Sequence, residues 1–422
     1  MSGGTGDRPV DGTGTVGGAD GPGTGGRRTA SSGVAFWLVA AAFTVTMLGT
    51  TLPTPLYVIY QRELDFSTLM VTIVFATYAA GVLAALLLVG HVSDEIGRRR
   101  TLLPGLALSM LSAAVFLGAH NLELLFVGRL LSGLSAGIFT GTATAALVDL
   151  AGESRTGRGS LVATVVQMGG LGSGPLLAGV LAELAPAPLR VPYAVDLALL
   201  LPVAVGVWFM PEPVKGIVRR PGMRVTRPGV PHEMRGTFAR AAIAGFAGFA
   251  VLGLFTAVSP SFLGTLLGMG SFALAGGVIF AVFAASALGQ IVLVPRFGSA
   301  SLPLGCAGLV LGMALLTAGF AARSFELLVA GGVVAGLGQG MSFRAGLAAV
   351  NAEAPVARRA DVASTYFVVL YVALSLPVIG VGVAADLVGL QAAGIAFSVL
   401  VAALAGSVLA ALLRAGRAAR TP

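Results

Sequence analysis

The sequence predicts an all-α integral membrane protein, with twelve transmembrane helices arranged as two six-helix pseudo-repeats. Three observations lead to it. Of 422 residues, 10% are charged and 56% hydrophobic, whereas a soluble domain carries about 25% charged residues because its surface faces water. Uncharged stretches long enough to cross a bilayer recur between short charged loops, and a helix needs about 20 residues to cross roughly 30 Å of hydrocarbon. Glycines and prolines also recur across the middle of the chain at a nearly constant offset. Strict alternation of apolar and polar residues is missing, which excludes an outer-membrane barrel.

Residues 1–32 hold eleven glycines among Thr, Ser, Asp and Pro. Such a segment cannot bury enough apolar surface to offset its ordering entropy, so a disordered cytoplasmic tail is expected. It has no signal-peptide core, and the first helix must carry the insertion signal. Residues 33–210 form the first bundle, with spans at Gly33–Gln61, Phe66–Gly90, Thr101–Asn121, Leu124–Val148, Gly159–Ala182 and Val191–Met210. Residues 211–237 are the longest internal polar segment and form a cytoplasmic linker loop. The second bundle, 238–413, opens with Ala241–Pro295, 55 residues without a charge. That is too long for one span, and it divides at Gly268–Ser271. Phe297–Ala322, Leu327–Val350, Val362–Ala385 and Leu387–Leu413 follow, and 414–422 form a second cytoplasmic tail.

Arginine sets the orientation. With the N-terminus inside, the inner segments hold 21 basic residues and the outer loops only Arg62, Arg190 and Arg323. By the positive-inside rule both termini are expected in the cytoplasm, and the expected location is a bacterial plasma membrane, crossed many times. The net charge of +8 is a topology signal and not a nucleic-acid footprint. His91, His120 and His232 stand far apart and the lone Cys306 lies in an apolar run, so no metal site, cofactor or catalytic centre is expected. Across the linker, Pro55 pairs with Pro260, Gly97 with Gly298, Gly133 with Gly336, Gly137 with Gly340 and Pro175 with Pro377, at offsets of 201 to 205. Internal duplication on this scale is a recurrent plan of secondary transporters.

Four segments carry candidate chemistry. Helix one ends in Leu48-Gly-Thr-Thr-Leu-Pro53-Thr-Pro55-Leu-Tyr57. Between helices two and three stands Gly90-His-Val-Ser-Asp94-Glu-Ile-Gly97-Arg98-Arg99-Arg100, a tight turn with an acid at a helix end and three arginines at phosphate level. Helix four reads Arg129-Leu-Leu-Ser-Gly133-Leu-Ser-Ala-Gly137-Ile-Phe-Thr-Gly141, glycine recurring every fourth residue on one face and admitting a close neighbour. Arg129 either faces a polar cavity or partner at membrane depth or snorkels to the outer interface. Helix five carries Gly170-Leu-Gly-Ser-Gly174-Pro175-Leu-Leu-Ala178-Gly179, in which proline kinks the helix.

The Gly90–Arg100 loop resembles the signature loop of the major facilitator superfamily at Gly90, Asp94, Gly97, Arg98 and Arg99. The resemblance extends over 33–413 and implies the major facilitator fold with alternating access. It further implies that Asp94 engages the start of helix eleven and that the arginine pairs with an acid ending helix four, a place held by Asp149, making a conformational latch. Val294-Pro-Arg-Phe-Gly298, the second-half counterpart, lacks the acid. The helix-four segment resembles the family motif whose arginine serves proton coupling or substrate binding, a role carried to Arg129. The helix-five segment resembles the antiporter motif of the twelve-helix drug:proton branch, with Ala178 in place of one glycine. Helix one resembles the family's two-proline motif but has its Leu-Gly pair two residues closer and lacks the acid of some exporters.

Few polar side chains are candidates for a central cavity: Thr46, Thr50, Tyr78, Gln167, Gln290, Gln339, Tyr366 and Tyr371. Asp196 and Asp386 lie towards the outer ends of helices six and eleven, as interface markers or as proton carriers, and Arg344 lies near the inner end of helix ten. The expected function is proton-coupled export of small amphipathic, drug-like compounds by a monomer whose partners are the substrate, protons and the lipid bilayer. Uptake of a sugar or carboxylate, and a non-transporting sensor on the same fold, are the alternatives.

Overall fold

A computed structural model describes residues 32–89, 92–152, 155–213, 229–355 and 358–418. Residues 1–31 and 419–422 of the expected tails, most of the linker and Gly90 of the latch loop fall outside the described residues. Among these residues there are no strands. Twelve long helices follow in order: α1 (Ser32–Thr51), α2 (Thr68–Val89), α3 (Arg98–Leu117), α4 (Leu122–Ala151), α5 (Thr156–Leu184), α6 (Val191–Trp208), α7 (Arg235–Leu267), α8 (Phe272–Leu288), α9 (Ser301–Ala322), α10 (Phe325–Glu353), α11 (Arg359–Val388) and α12 (Leu390–Ala418).

Local chemistry sets several boundaries. The expected span Gly33–Gln61 is not one helix: α1 stops at Thr51 and a short helix resumes at Tyr57–Leu64. Pro53 and Pro55 cause the break, because each lacks an N–H and its ring clashes with the carbonyl four residues back. The apolar helical run Phe272–Ala322, 51 residues long, is broken at Gly298 with φ 51°, a conformation that costs glycine no side-chain clash. Its first-half counterpart Gly97 has φ 106° at the start of α3. The anticipated division at Gly268 is present, Gly268 having φ 66° after α7. Two helices run beyond their expected apolar spans: α7 begins at Arg235, ahead of Ala241, and α12 reaches Ala418, beyond Leu413. Arginines at 235, 240, 414 and 417 end the apolar count but continue the helices to headgroup level, where they suit the lipid phosphates.

The duplication is visible in the packing. In the first half α1 packs on α4, α5 and α6, α4 on α2 and α3, and α3 on α6; in the second, α7 packs on α10 and α11, α10 on α8 and α9, and α9 on α12. The two halves meet where α5 lies on α8 and where α11 lies on α2, one contact being the image of the other. Matched glycines make matched contacts. A Cβ at Gly133 would strike the Tyr78 carbonyl of α2, and one at Gly336 would lie 2.6 Å from the Val282 carbonyl of α8. At Gly137 it would lie 2.8 Å from the Val82 carbonyl, and at Gly340 it would strike that of Ser286. Small residues at these positions let backbones touch. Large apolar side chains such as Leu199, Leu201, Leu311, Leu376, Val399 and Leu400 are exposed on the outside of the bundle, as a lipid-facing surface requires.

Candidate functional site

Even-numbered connections and both described ends lie on one side of the molecule, here the termini side. There the α2–α3 turn is organised around a carboxylate that sequence reasoning missed. Glu212, after α6, accepts hydrogen bonds from the backbone N–H groups of Arg98 (2.7 Å) and Arg99 (3.1 Å), satisfying two of the donors a helix start leaves unpaired. A Cβ at Gly97 would lie 2.6 Å from the Glu212 carboxyl carbon, a side-chain end that could move aside, so it is the positive φ that favours glycine here. Arg98 Nε lies 3.0 Å from Asp149 Oδ2, and Arg98 Nη1 donates to Ser93 Oγ at 2.8 Å. Arg99 Nη1 donates to the Met210 carbonyl at 3.1 Å. Ser93, Asp149 and Met210 belong to the first half, and Glu212 stands at the start of the linker. The Asp94 side chain lies outside the described residues.

On the opposite side, the end of α1 is the centre of a second arrangement. Arg129 on α4 is fully buried, so it does not snorkel to lipid. Its Nη1 donates to the Thr50 carbonyl at 2.6 Å, one of the acceptors left without a donor where the prolines end α1. The rings of Tyr57, Phe75 and Tyr78 surround the guanidinium, each centroid 5.4 Å from Cζ, close enough for cation–π attraction. The next residue performs a similar repair on α5. Pro175 has no N–H to give to the Leu171 carbonyl, and Thr51 Oγ1 donates to that carbonyl instead, at 2.8 Å. Gly174 sits against the same threonine, and Gly170 packs on Thr44 and Met47. Gly172 packs on Phe280 and Phe283, while Pro175 and Gly179 meet Gly276 and Phe272 of α8. The helix-five motif therefore faces α1 with one set of small residues and the other half with another. The four-residue glycine spacing of α4 is only partly a packing device. A Cβ at Gly141 would meet nothing within 4 Å, and Gly141 borders the central cavity.

That cavity, about 440 Å³, lies between the halves. It starts at Thr51, Phe75, Leu171 and Phe283 and extends towards the termini side to Leu86, Ala145, Gln290 and Leu347. Of the polar candidates, Tyr78, Gln167, Gln290 and Tyr371 line it, and Thr51, Thr140, Thr144, Thr164 and Thr256 join them. Aromatic rings come from both halves: Phe75 and Tyr78 from the first; Phe249, Phe283, Phe343, Phe367 and Tyr371 from the second. No charged side chain lines the cavity among the described residues. Thr46, Thr50, Gln339 and Tyr366 are buried in helix packing instead. Gln339 Oε1 accepts from Ser286 Oγ at 2.5 Å, and Gln290 Nε2 donates to the same hydroxyl at 3.3 Å. Arg344 does not reach the cavity; its Nη1 donates to the Gln290 carbonyl at 2.7 Å, within the π-helical turn Gly289–Leu293 that continues α8. Of the two acids near outer helix ends, Asp386 is exposed, but Asp196 is 2% exposed and its Oδ1 has no partner.

The halves are sealed on the side opposite the termini. A Cβ at Gly382 of α11 would lie 3.0 Å from Leu69 Cα of α2, and one at its symmetry counterpart Gly179 would strike the Phe272 carbonyl of α8. Glu183, ending α5, accepts from the Ala273 N–H of α8 at 3.1 Å. The cavity is thus closed on one side and extends towards the other.

A multi-pass helical membrane protein with a cavity between two pseudo-symmetric halves defines the class of secondary transporters. Residues 39–300 match the Major Facilitator Superfamily, and the chain belongs to that family. Its fold and family are those of transporters. Multidrug resistance protein MdtL of Escherichia coli O139:H28 and of other Escherichia coli strains is 36% identical over 93 residues. That stretch is 22% of this chain and spans only 24% of the relative's length. Among solved structures, a bacterial homologue of the human lysosomal transporter Spinster, in an inward-facing and unoccupied conformation, aligns with TM-score 0.71 and 15% identity, covering 91% of this chain and 98% of its own. The human organic anion transporter MFSD10 aligns with TM-score 0.66 and 17% identity over 90% of this chain and all of its own. The nucleoside transporter NupG aligns at 0.67 and 14% over 89% and 99%. These three likenesses concern the fold.

Proposed function

We propose that the protein exports small amphipathic organic compounds across the bacterial plasma membrane in exchange for protons, as a monomer working by alternating access. The observation that carries this reading is the central cavity of about 440 Å³, lined by aromatic rings, threonines and two glutamines. Such a lining buries an apolar body and orients it with a few hydrogen bonds. The seven aromatic rings of the lining favour an apolar body over a sugar, and a carboxylate would need a basic residue that the lining does not supply among the described residues. The partial likeness to a multidrug resistance protein supports export of drug-like compounds. On this reading both termini are cytoplasmic, the substrate enters from the termini side, and Tyr78 and Gln167 contact it. The latch expected of Gly90, Asp94, Gly97, Arg98, Arg99 and Asp149 belongs to the same proposal, with the Arg98–Asp149 pair as its first-half anchor. The test is a panel of dyes, antibiotics, sugars and carboxylates offered to inverted vesicles under an imposed pH gradient. Accumulation of lipophilic compounds that collapses with the gradient is the expected result; accumulation only of sugars or carboxylates would overturn it.

A further inference from the structure

We propose that Asp196 is the proton-binding site of the exchange cycle, separate from the substrate cavity and linked to it by the last three residues of α1. The inference rests on the proton-exchange reading above. Asp196 and Arg129 are the two charged side chains buried in the described transmembrane helices, and they flank the same stretch of backbone. A Cβ at Gly49 would lie 2.6 Å from Asp196 Oδ2, so α1 passes directly over the carboxyl. The neighbouring Thr50 carbonyl is held by Arg129. Thr51 lines the substrate cavity and holds the orphan carbonyl of the α5 kink. Three consecutive residues therefore touch a buried acid, a buried base and the cavity wall.

Asp196 Oδ1 has no hydrogen-bond partner. A carboxylate with neither counter-charge nor donor carries its whole desolvation cost, whereas the neutral acid does not. An intramembrane acid without a structural partner is a functional group by default. The ionisable groups around it are few. On α6 itself there is Tyr193, whose hydroxyl lies 3.4 Å from that of Tyr60. Tyr57 and Tyr60 come from the short helix after α1, and Arg129 comes from α4. α1 has no ionisable residue. Those of α3 (Arg98, Arg99, Arg100) and α5 (Arg158, Glu183) stand at or near the ends of these helices. The proton arrives from the side opposite the termini when that side is open. It resides on the Asp196 carboxyl while the side is sealed, and it leaves through the termini-side cavity. Ionisation of Asp196 beside Gly49 changes the force on the end of α1, and Thr51 passes that change to the cavity wall and the α5 kink.

The experiment compares wild type, Asp196→Asn and Asp196→Glu in proteoliposomes, using a lipophilic dye that the wild type carries. Two fluxes are read: exchange of labelled for unlabelled dye without a gradient, and accumulation driven by a pH gradient. The expected result is that Asp196→Asn exchanges dye but loses gradient-driven accumulation, and that Asp196→Glu regains part of it. Gradient-driven accumulation retained by Asp196→Asn would overturn the inference while leaving the exporter reading intact. Loss of exchange and accumulation together would also overturn it, by making Asp196 a structural residue. Wild-type accumulation indifferent to the gradient would instead defeat the proton-exchange reading itself.

Discussion

Arg129 illustrates how a guanidinium is held at membrane depth: one helix-end carbonyl and three ring faces replace part of the water it lost, while its Nε has no partner. Removing it leaves the Thr50 carbonyl without its donor and a void among Tyr57, Phe75 and Tyr78. Arg129→Ala is therefore expected to cost about 2–4 kcal/mol, combining a lost charged hydrogen bond with a cavity. Arg129→Lys keeps the charge but loses the planar fork and the ring stacking, so it is expected to cost less. Thermal unfolding of the purified protein in detergent should rank the three wild type, Lys, Ala. An equal melting temperature for Ala and wild type would remove the capping role. Glu212 acts in the same manner at the other side, where it caps α3. Glu212→Ala is expected to cost about 1 kcal/mol, the usual value of an N-cap side chain, and Glu212→Gln, which keeps an acceptor oxygen, to cost less in the same assay.

The prolines and the hydrogen bonds that replace theirs act at the scale of elements. Thr51→Val should leave the Leu171 carbonyl unpaired, at about 1–3 kcal/mol. Pro175→Ala restores an N–H that can reach the same carbonyl, so Thr51→Val should cost less in that background. A double-mutant cycle read by thermal unfolding should show coupling of about 0.5–3 kcal/mol; strict additivity would mean that Thr51 does not serve the kink. Much at this scale was legible in the sequence. The α1 break follows from Pro53 and Pro55, the division at Gly268 from the length of an uncharged run, and the pairing of Gly133 with Gly336 from a constant offset. Which way each helix turns was not legible. These helices are apolar all round, and such a helix carries no stripe that marks its buried face. Asp196 could therefore be read as an interface residue when it faces α1, and Gly141 as a packing residue when it borders the cavity. Glu212 was missed for another reason: its partners lie 113 and 114 residues away in sequence, and no local motif announces such a cap.

For the whole molecule, the proposed alternating access makes the contacts of the closed side the ones that set which state is populated. The contacts that seal it, Gly382 against Leu69 and Thr72, Gly179 against Phe272, and Glu183 at the start of α8, join the two halves. Rocking the halves apart on that side would break them together. A substitution that disfavours only this closure must raise the population open on the opposite side. Glu183 is exposed, and an anion at an exposed helix N-terminus contributes about 0.3–1 kcal/mol. Glu183→Gln should therefore raise the opposite-open population roughly two- to fivefold at that free energy. Gly382→Val places branched carbons where a single Cβ is already 3.0 Å from the Leu69 backbone, and its effect should be larger. Spin labels at Asp65 and Leu387, exposed positions at the ends of the Tyr57–Leu64 helix and α11, report the separation of the halves there. The buried Cys306 is replaced by serine in this background. Wild type should give mainly the short distance, Glu183→Gln a minor longer one, and Gly382→Val a dominant longer one. A Gly382→Val distribution identical to wild type would mean that the α2–α11 contact is not part of the gate, because a side chain there would then be accommodated without separating the halves.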